Sequence, residues 1–120
     1  MIGPQRWKVF SAQTLLSAQF EPIEYVVPRY IGEGLTILAG RPKAGKSWLA
    51  LDVALAVATG GLALGKERCE QGDVLYLALE DNKRRLQKRI LQVSDRDVDL
   101  SCLHMCTMSP RLESADIHVQ

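Results

Sequence analysis

Eight consecutive residues, Gly40-Arg41-Pro42-Lys43-Ala44-Gly45-Lys46-Ser47, put two glycines, three cations and a terminal hydroxyl into one short segment. They satisfy G-x-x-x-x-G-K-[ST] at every fixed position, and the chemistry of that spacing is the capture of a triphosphate. Successive backbone N–H groups form a nest around an oxyanion, and glycines allow positive-φ turns and close approach of the backbone. Arg41, Pro42, Lys43 and Ala44 supply the wall between the two glycines. Lys46 is expected to reach the β- and γ-phosphates of ATP, and the Ser47 hydroxyl to ligate Mg²⁺. Side chains at Gly40 or Gly45 are expected to block the approach. A glycine-containing turn that binds nothing is the alternative, disfavoured by the context on either side of the loop.

A phosphate cradle does not hydrolyse anything by itself. A water must be held in line with the γ-phosphate, a task for a carboxylate or amide at the end of a neighbouring strand. Glu80 stands where such a group belongs, closing the apolar run "VLYLAL", and is the candidate catalytic base. Its competing reading is an acidic helix N-terminus shared with Asp81.

The flanking segments must hold these groups in place. Leu35 to Ala39 is a short apolar run between Gly34 and Gly40, which predicts a central parallel strand covered on both faces. From Ser47, Leu49, Val53, Ala56 and Val57 recur at helical spacing among alanines of high helix propensity, until Gly60-Gly61 stops the helix. The dipole of that helix points its positive end at the loop. A polar turn at Glu70 to Asp73 leads to a second buried strand at Val74 to Leu79, with a short edge strand expected at Glu67 to Cys69. "DNKRRLQKRILQVS" reads as a helix capped by Asp81 or Asn82, with Leu86, Ile90 and Val93 on one face. Leu100 to Met108 is a candidate third strand. Strand, loop, helix, strand, helix, strand is an α/β order with a parallel sheet. Residues 1–32 form a lead-in, with a short helix at Ser11 to Gln19, expected to pack on a domain spanning 33–120.

Composition sets limits. The 120 residues are 47% hydrophobic and 24% charged, which suits one soluble globular domain. A net charge of +1 argues against wrapping nucleic acid by bulk charge. Three cysteines, Cys69, Cys102 and Cys106, are odd in number and follow no signal-peptide pattern, which favours a reducing, cytoplasmic setting. The apolar segment from Trp48 to Ala58 falls well short of the roughly 20 residues of a membrane span, so no membrane role is expected.

"LTILAGRPKAGKSWLALDVALAVATG" followed by "LALGKERCEQGDVLYLALEDNKRRLQKRI" resembles the RecA-like ATPases of the RepA-like hexameric helicase family, over residues 30–92. The resemblance implies a P-loop NTPase with a RecA-like parallel sheet flanked by helices, Mg·ATP as ligand, and Glu80 as the base that polarises water. It also implies a homo-oligomeric, hexameric ring and association with DNA in plasmid, phage or mobile-element replication. Members of that family place a second acidic residue, the Walker B aspartate, at the end of a later strand. After Glu80 the acidic residues are Asp81, Asp95, Asp97, Asp99, Glu113 and Asp116, and none closes an apolar strand. The chain therefore reads as the N-terminal part of an incomplete domain.

Other features have plainer readings. Lys83, Arg84, Arg85, Lys88 and Arg89 suit a solvated helix face, with contacts to nucleic acid or a neighbouring subunit as the alternative. Cys102, His104 and Cys106 alternate along a strand, a poor way to surround a tetrahedral metal, and are read as strand packing. Trp48 is read as packing, and Asp52 as an exposed or paired residue in an apolar helix. Two other function classes stay open: a small-molecule P-loop kinase, and a nucleotide-binding remnant without turnover.

Overall fold

The computed structural model describes residues 6–108. The tail containing Glu113 and Asp116 lies outside them. The elements are α1 (Ala12–Ser17), β1 (Tyr25–Val27), β2 (Ile31–Gly32), α2 (Lys46–Thr59), β3 (Leu62–Ala63), β4 (Glu67–Arg68), β5 (Val74–Leu77), α3 (Lys83–Val93) and β6 (Leu103–Cys106). β5 and β6 pair in parallel, while β1–β2 and β3–β4 are antiparallel hairpins, so the class is mixed α/β.

α2 is the spine. Gly45 enters it from the left-handed region at φ 97° and Gly60 leaves it at φ 68°, with Gly61 N–H donating to the Ala56 carbonyl at 2.8 Å. That is the glycine-closed helix end the Gly60-Gly61 pair predicts, since a side chain is strained at positive φ. Leu51, Ala54, Ala56 and Ala58 are its buried residues, whereas Leu49, Val53 and Val57 of the expected stripe are only half-buried. Small alanines let neighbouring segments approach the helix backbone. The core forms where Val27, Ala56, Ala63 and Cys69 meet, with Ile31, Val53 and Val57 packed around them.

Asp52 explains its own position in an apolar helix. Its carboxylate accepts from the Leu64 N–H at 2.9 Å, pinning the β3–β4 turn, where Leu64 and Gly65 both have positive φ. Beyond the hairpin, Gly72 N–H donates to the Val57 carbonyl at 2.9 Å and Gln71 Nε2 to that of Ala58 at 3.2 Å. These bonds tie the approach to β5 against the C-terminal half of α2.

The strand expected at Leu35 to Ala39 does not form. An apolar run specifies burial, but a strand also needs neighbours to accept its N–H and C=O groups, and the pairings among the described residues are β1–β2, β3–β4 and β5–β6 alone. Leu35 is 91% exposed and Ile37 81%. The segment is irregular chain leading into the loop.

Two other elements are shorter than their sequence suggests. β5 stops at Leu77, although Ala78 N–H still donates to the Cys106 carbonyl at 2.8 Å, because Leu79 and Glu80 turn towards α3. β6 begins only at Leu103, after a turn in which the Asp99 carboxylate accepts from the Ser101 N–H at 2.9 Å. That bond holds the Asp99 carboxyl below its usual range. The expected three-stranded parallel sheet is therefore a parallel pair in register Val74↔Leu103 to Leu77↔Cys106.

α1 forms where its Ser11 cap accepts from the Thr14 N–H at 3.1 Å, and it buries no residue. Trp7, Val9, Phe10, Leu16, Phe20 and Ile23 around it are exposed, while Val27 in β1 is fully buried.

Candidate functional site

The loop from Gly40 to Ser47 sits at the N-terminus of α2. Lys43 (φ 64°) and Gly45 (φ 97°) both adopt the left-handed region, and Ala44 N–H closes a turn on the Arg41 carbonyl at 3.2 Å. Alternation of that kind turns successive amides towards one side, the geometry of an anion nest. The two glycines are constrained differently. A Cβ at Gly45 meets nothing within 4 Å, so its requirement is the positive φ. A Cβ at Gly40 lies 3.7 Å from Lys46 Cδ and 3.8 Å from Ala44 Cβ, ordinary contact with the protein. Any bar to a side chain at Gly40 must come from a ligand rather than from the chain itself.

The Lys46 ammonium donates to the carbonyls of Gly40 and Arg41, the latter at 3.0 Å. It thus lies across the mouth of its own loop. Arg41, Pro42, Lys43 and Ala44 are exposed, as are Ser47 and Trp48, while Gly45 and Lys46 are half-buried.

Two cavities meet here. One of about 350 Å³ is lined by Lys43 to Trp48 together with Arg89. The other, also about 350 Å³, is lined by Ser47, Tyr76 to Asp81, Arg85 and Arg89. Ser47 and Arg89 belong to both walls. The fold therefore brings Glu80, 33 positions further along the chain, onto the same cavity wall as Ser47, because β5 packs against α2 and ends beside its N-terminus. A larger cavity of about 430 Å³ lies at the other end of α2, between Thr59 and the turn after α3. It is far from the glycine loop and has no comparable row of amides.

Asp81 follows Glu80 but does not cap α3. Asn82 does so, its side chain accepting from the Arg85 N–H at 2.9 Å. Asp81 faces the arginines instead: Arg89 Nη1 lies 2.8 Å from Oδ2 and Arg85 Nε 3.5 Å from Oδ1. The Arg89 guanidinium also lies over the Trp48 ring, 5.5 Å from its centroid. Burial pushes the Tyr76 hydroxyl above its usual range, with the Asp81 charge adding to the rise and Arg89 opposing it. Arg89 is half-buried, not on the solvated face expected from the charge run. Its signal was present as the spacing of Asp81, Arg85 and Arg89 at successive intervals of four, but the pairing with Trp48 depends on how α2 and α3 meet.

The donor set suits a magnesium triphosphate. Amides, an ammonium and a guanidinium complement phosphate oxygens, and Ser47 contributes one hard oxygen of the kind Mg²⁺ accepts alongside water and phosphate. Elsewhere, His104 Nε2 lies 3.6 Å from Asp73 Oδ1, and Cys106 Sγ donates to the Met108 carbonyl. No group of three or more metal-binding side chains occurs among the described residues, nor any helix long and apolar enough to cross a membrane.

A family model described as AAA domain matches residues 4–118. No curated protein and no solved structure matches the chain.

Proposed function

Since the chain belongs to the AAA domain family, we propose that it is an ATP-binding module of the RecA-like, DNA-associated kind found in RepA-like helicases. Residues Gly40 to Ser47 hold the triphosphate. The observation that carries this reading is the common cavity wall joining the loop helix at Ser47 to Glu80. The AAA family supplies nucleotide binding; the helicase type, the DNA role and a ring of copies rest on the resemblance of the two long motifs.

Each residue has a stated task. The amides of the nest and the α2 dipole bind phosphate oxygens. Lys46 exchanges the Gly40 and Arg41 carbonyls for the β- and γ-phosphates, a swap of neutral acceptors for charged ones. Ser47 holds Mg²⁺, which when bound neutralises charge on the phosphates. Glu80, exposed on the cavity wall it shares with Ser47, orients water towards the terminal phosphate.

Binding without turnover is the second reading. It is favoured by the carboxylates of the cavity beside Ser47: of Glu80 and Asp81, Asp81 is already paired with two arginines. Isothermal titration with Mg·ATP, using Lys46→Ala as the control, tests the binding claim, which fails if wild type and control are alike. Phosphate release with and without single-stranded DNA then separates the two readings. Turnover lost in Glu80→Gln with affinity kept supports the catalytic reading, whereas no release under either condition supports binding alone.

A further inference from the structure

Arg89 is the one side chain of α3 that lines both cavities at the loop, and two competing partners hold it. Asp81 gives it an ion pair at 2.8 Å, and the Trp48 indole gives it a π face at 5.5 Å. Trp48 is the residue after Ser47, so the Arg89 guanidinium connects the first turn of the loop helix to the segment that carries Glu80. We infer that Arg89 senses the terminal phosphate of the bound nucleotide, leaving Asp81 and Trp48 for it. This inference rests on the ATP-binding reading above.

The physical argument is one of exchange. A guanidinium presents a fork of donors that fits either a carboxylate or a phosphate in bidentate fashion. Asp81 offers a single negative charge, and Arg85 competes for it at 3.5 Å. A terminal phosphate beside Lys46 and Ser47 offers a higher charge in a cavity whose wall the same side chain forms in part. Transfer leaves Asp81 with Arg85 as its remaining partner, so no buried charge is stranded. A diphosphate lacks the terminal group and leaves the pair with Asp81 in place. Arg89 therefore distinguishes the two nucleotides, and its departure from Trp48 reports the change.

The chain has two tryptophans, and Trp7 is exposed and lines neither cavity at the loop. In a Trp7→Phe background, emission from Trp48 is expected to change on adding Mg·ATP and to stay nearly constant with Mg·ADP. Arg89→Ala is expected to weaken Mg·ATP by about 10- to 100-fold, the range of a hydrogen bond to a charged group, and Mg·ADP by less than about twofold on the same scale. Asp81→Asn removes the competitor and is expected to tighten Mg·ATP by about threefold, less than a full charged hydrogen bond, with Mg·ADP unchanged. Arg89→Lys keeps the charge without the fork and falls between alanine and wild type. Equal losses for the two nucleotides in Arg89→Ala, or weaker Mg·ATP binding in Asp81→Asn, overturn the inference while leaving the binding site standing. If Arg89→Ala fails to fold by circular dichroism, the Asp81→Asn affinities decide alone. A wild-type chain that binds no Mg·ATP overturns both this inference and the function it rests on.

Discussion

Lys46 donates its ammonium to the Arg41 carbonyl at 3.0 Å, bending back over the loop that its own sequence motif defines. The side chain with the strongest sequence-based role is thus positioned by backbone carbonyls five and six residues before it. Replacing it by alanine removes hydrogen bonds that lie in solvent, so the fold is expected to keep a melting temperature close to wild type. Mg·ATP affinity is expected to fall by about 100-fold or more, as for loss of several charge-assisted phosphate contacts. Calorimetric titration beside a thermal melt checks both, and a collapsed melt with retained affinity contradicts the assignment.

Asp52 to Leu64 is a second such relationship, and it concerns stability alone. The carboxylate satisfies the N–H of a residue at φ 55°. Asp52→Ala is expected to destabilise the chain by about 1 to 2 kcal/mol, the usual cost of losing one partner of a charged hydrogen bond. Asp52→Asn keeps an acceptor and costs less. Urea unfolding of the three proteins gives the ranking.

The glycines that flank the loop after α2 differ in a measurable way. At Gly60 the backbone has φ 68°, and a Cβ would lie 3.2 Å from Gln71 Cβ. Gly60→Ala is expected to cost about 1 to 2 kcal/mol from left-handed strain, plus whatever Gln71 must yield. At Gly72 a Cβ meets Val57 Cγ1 at 3.9 Å with no positive φ, so Gly72→Ala is expected to be close to neutral. Thermal melts of the pair separate conformational strain from simple crowding.

Cys69 tests the core. It is buried, and desolvation raises its thiol above the ordinary range, while Cys102 and Cys106 are half-buried. The thiolate is the reactive form, so at neutral pH iodoacetamide is expected to label Cys102 and Cys106 before Cys69. Peptide mass mapping over time gives the order. The sign for stability follows the raised value: the contribution of Cys69 is fully present below the thiol's unfolded pKa and is lost as pH rises through the folded one. Unfolding at alkaline pH is therefore expected to coincide with labelling of the third thiol.

Much of this site was legible along the chain because its chemistry is local. A loop of eight residues carries its own amides, glycines and ammonium, and α2 carries its own start and stop signals. Gly45 and Gly60 adopt the positive φ that their positions require. Asn82 was one of two possible caps for α3, and only the structure chose it, which released Asp81 for the arginines. Leu35 to Ala39 misled, since apolar character speaks of burial and not of which strand will supply hydrogen bonds.

The chain itself determined the elements whose contacts lie within a few turns: the glycine loop, the helix behind it and the capped basic helix. Tertiary structure alone decided that Glu80 and Ser47 share a cavity wall and that Arg89 stands between Asp81 and Trp48. It also decided that the run before the loop finds no partner strand among the described residues. The division has a physical cause. Helix periodicity and turn chemistry are properties of neighbouring residues, whereas strand pairing and the meeting of two helices depend on contacts between distant ones.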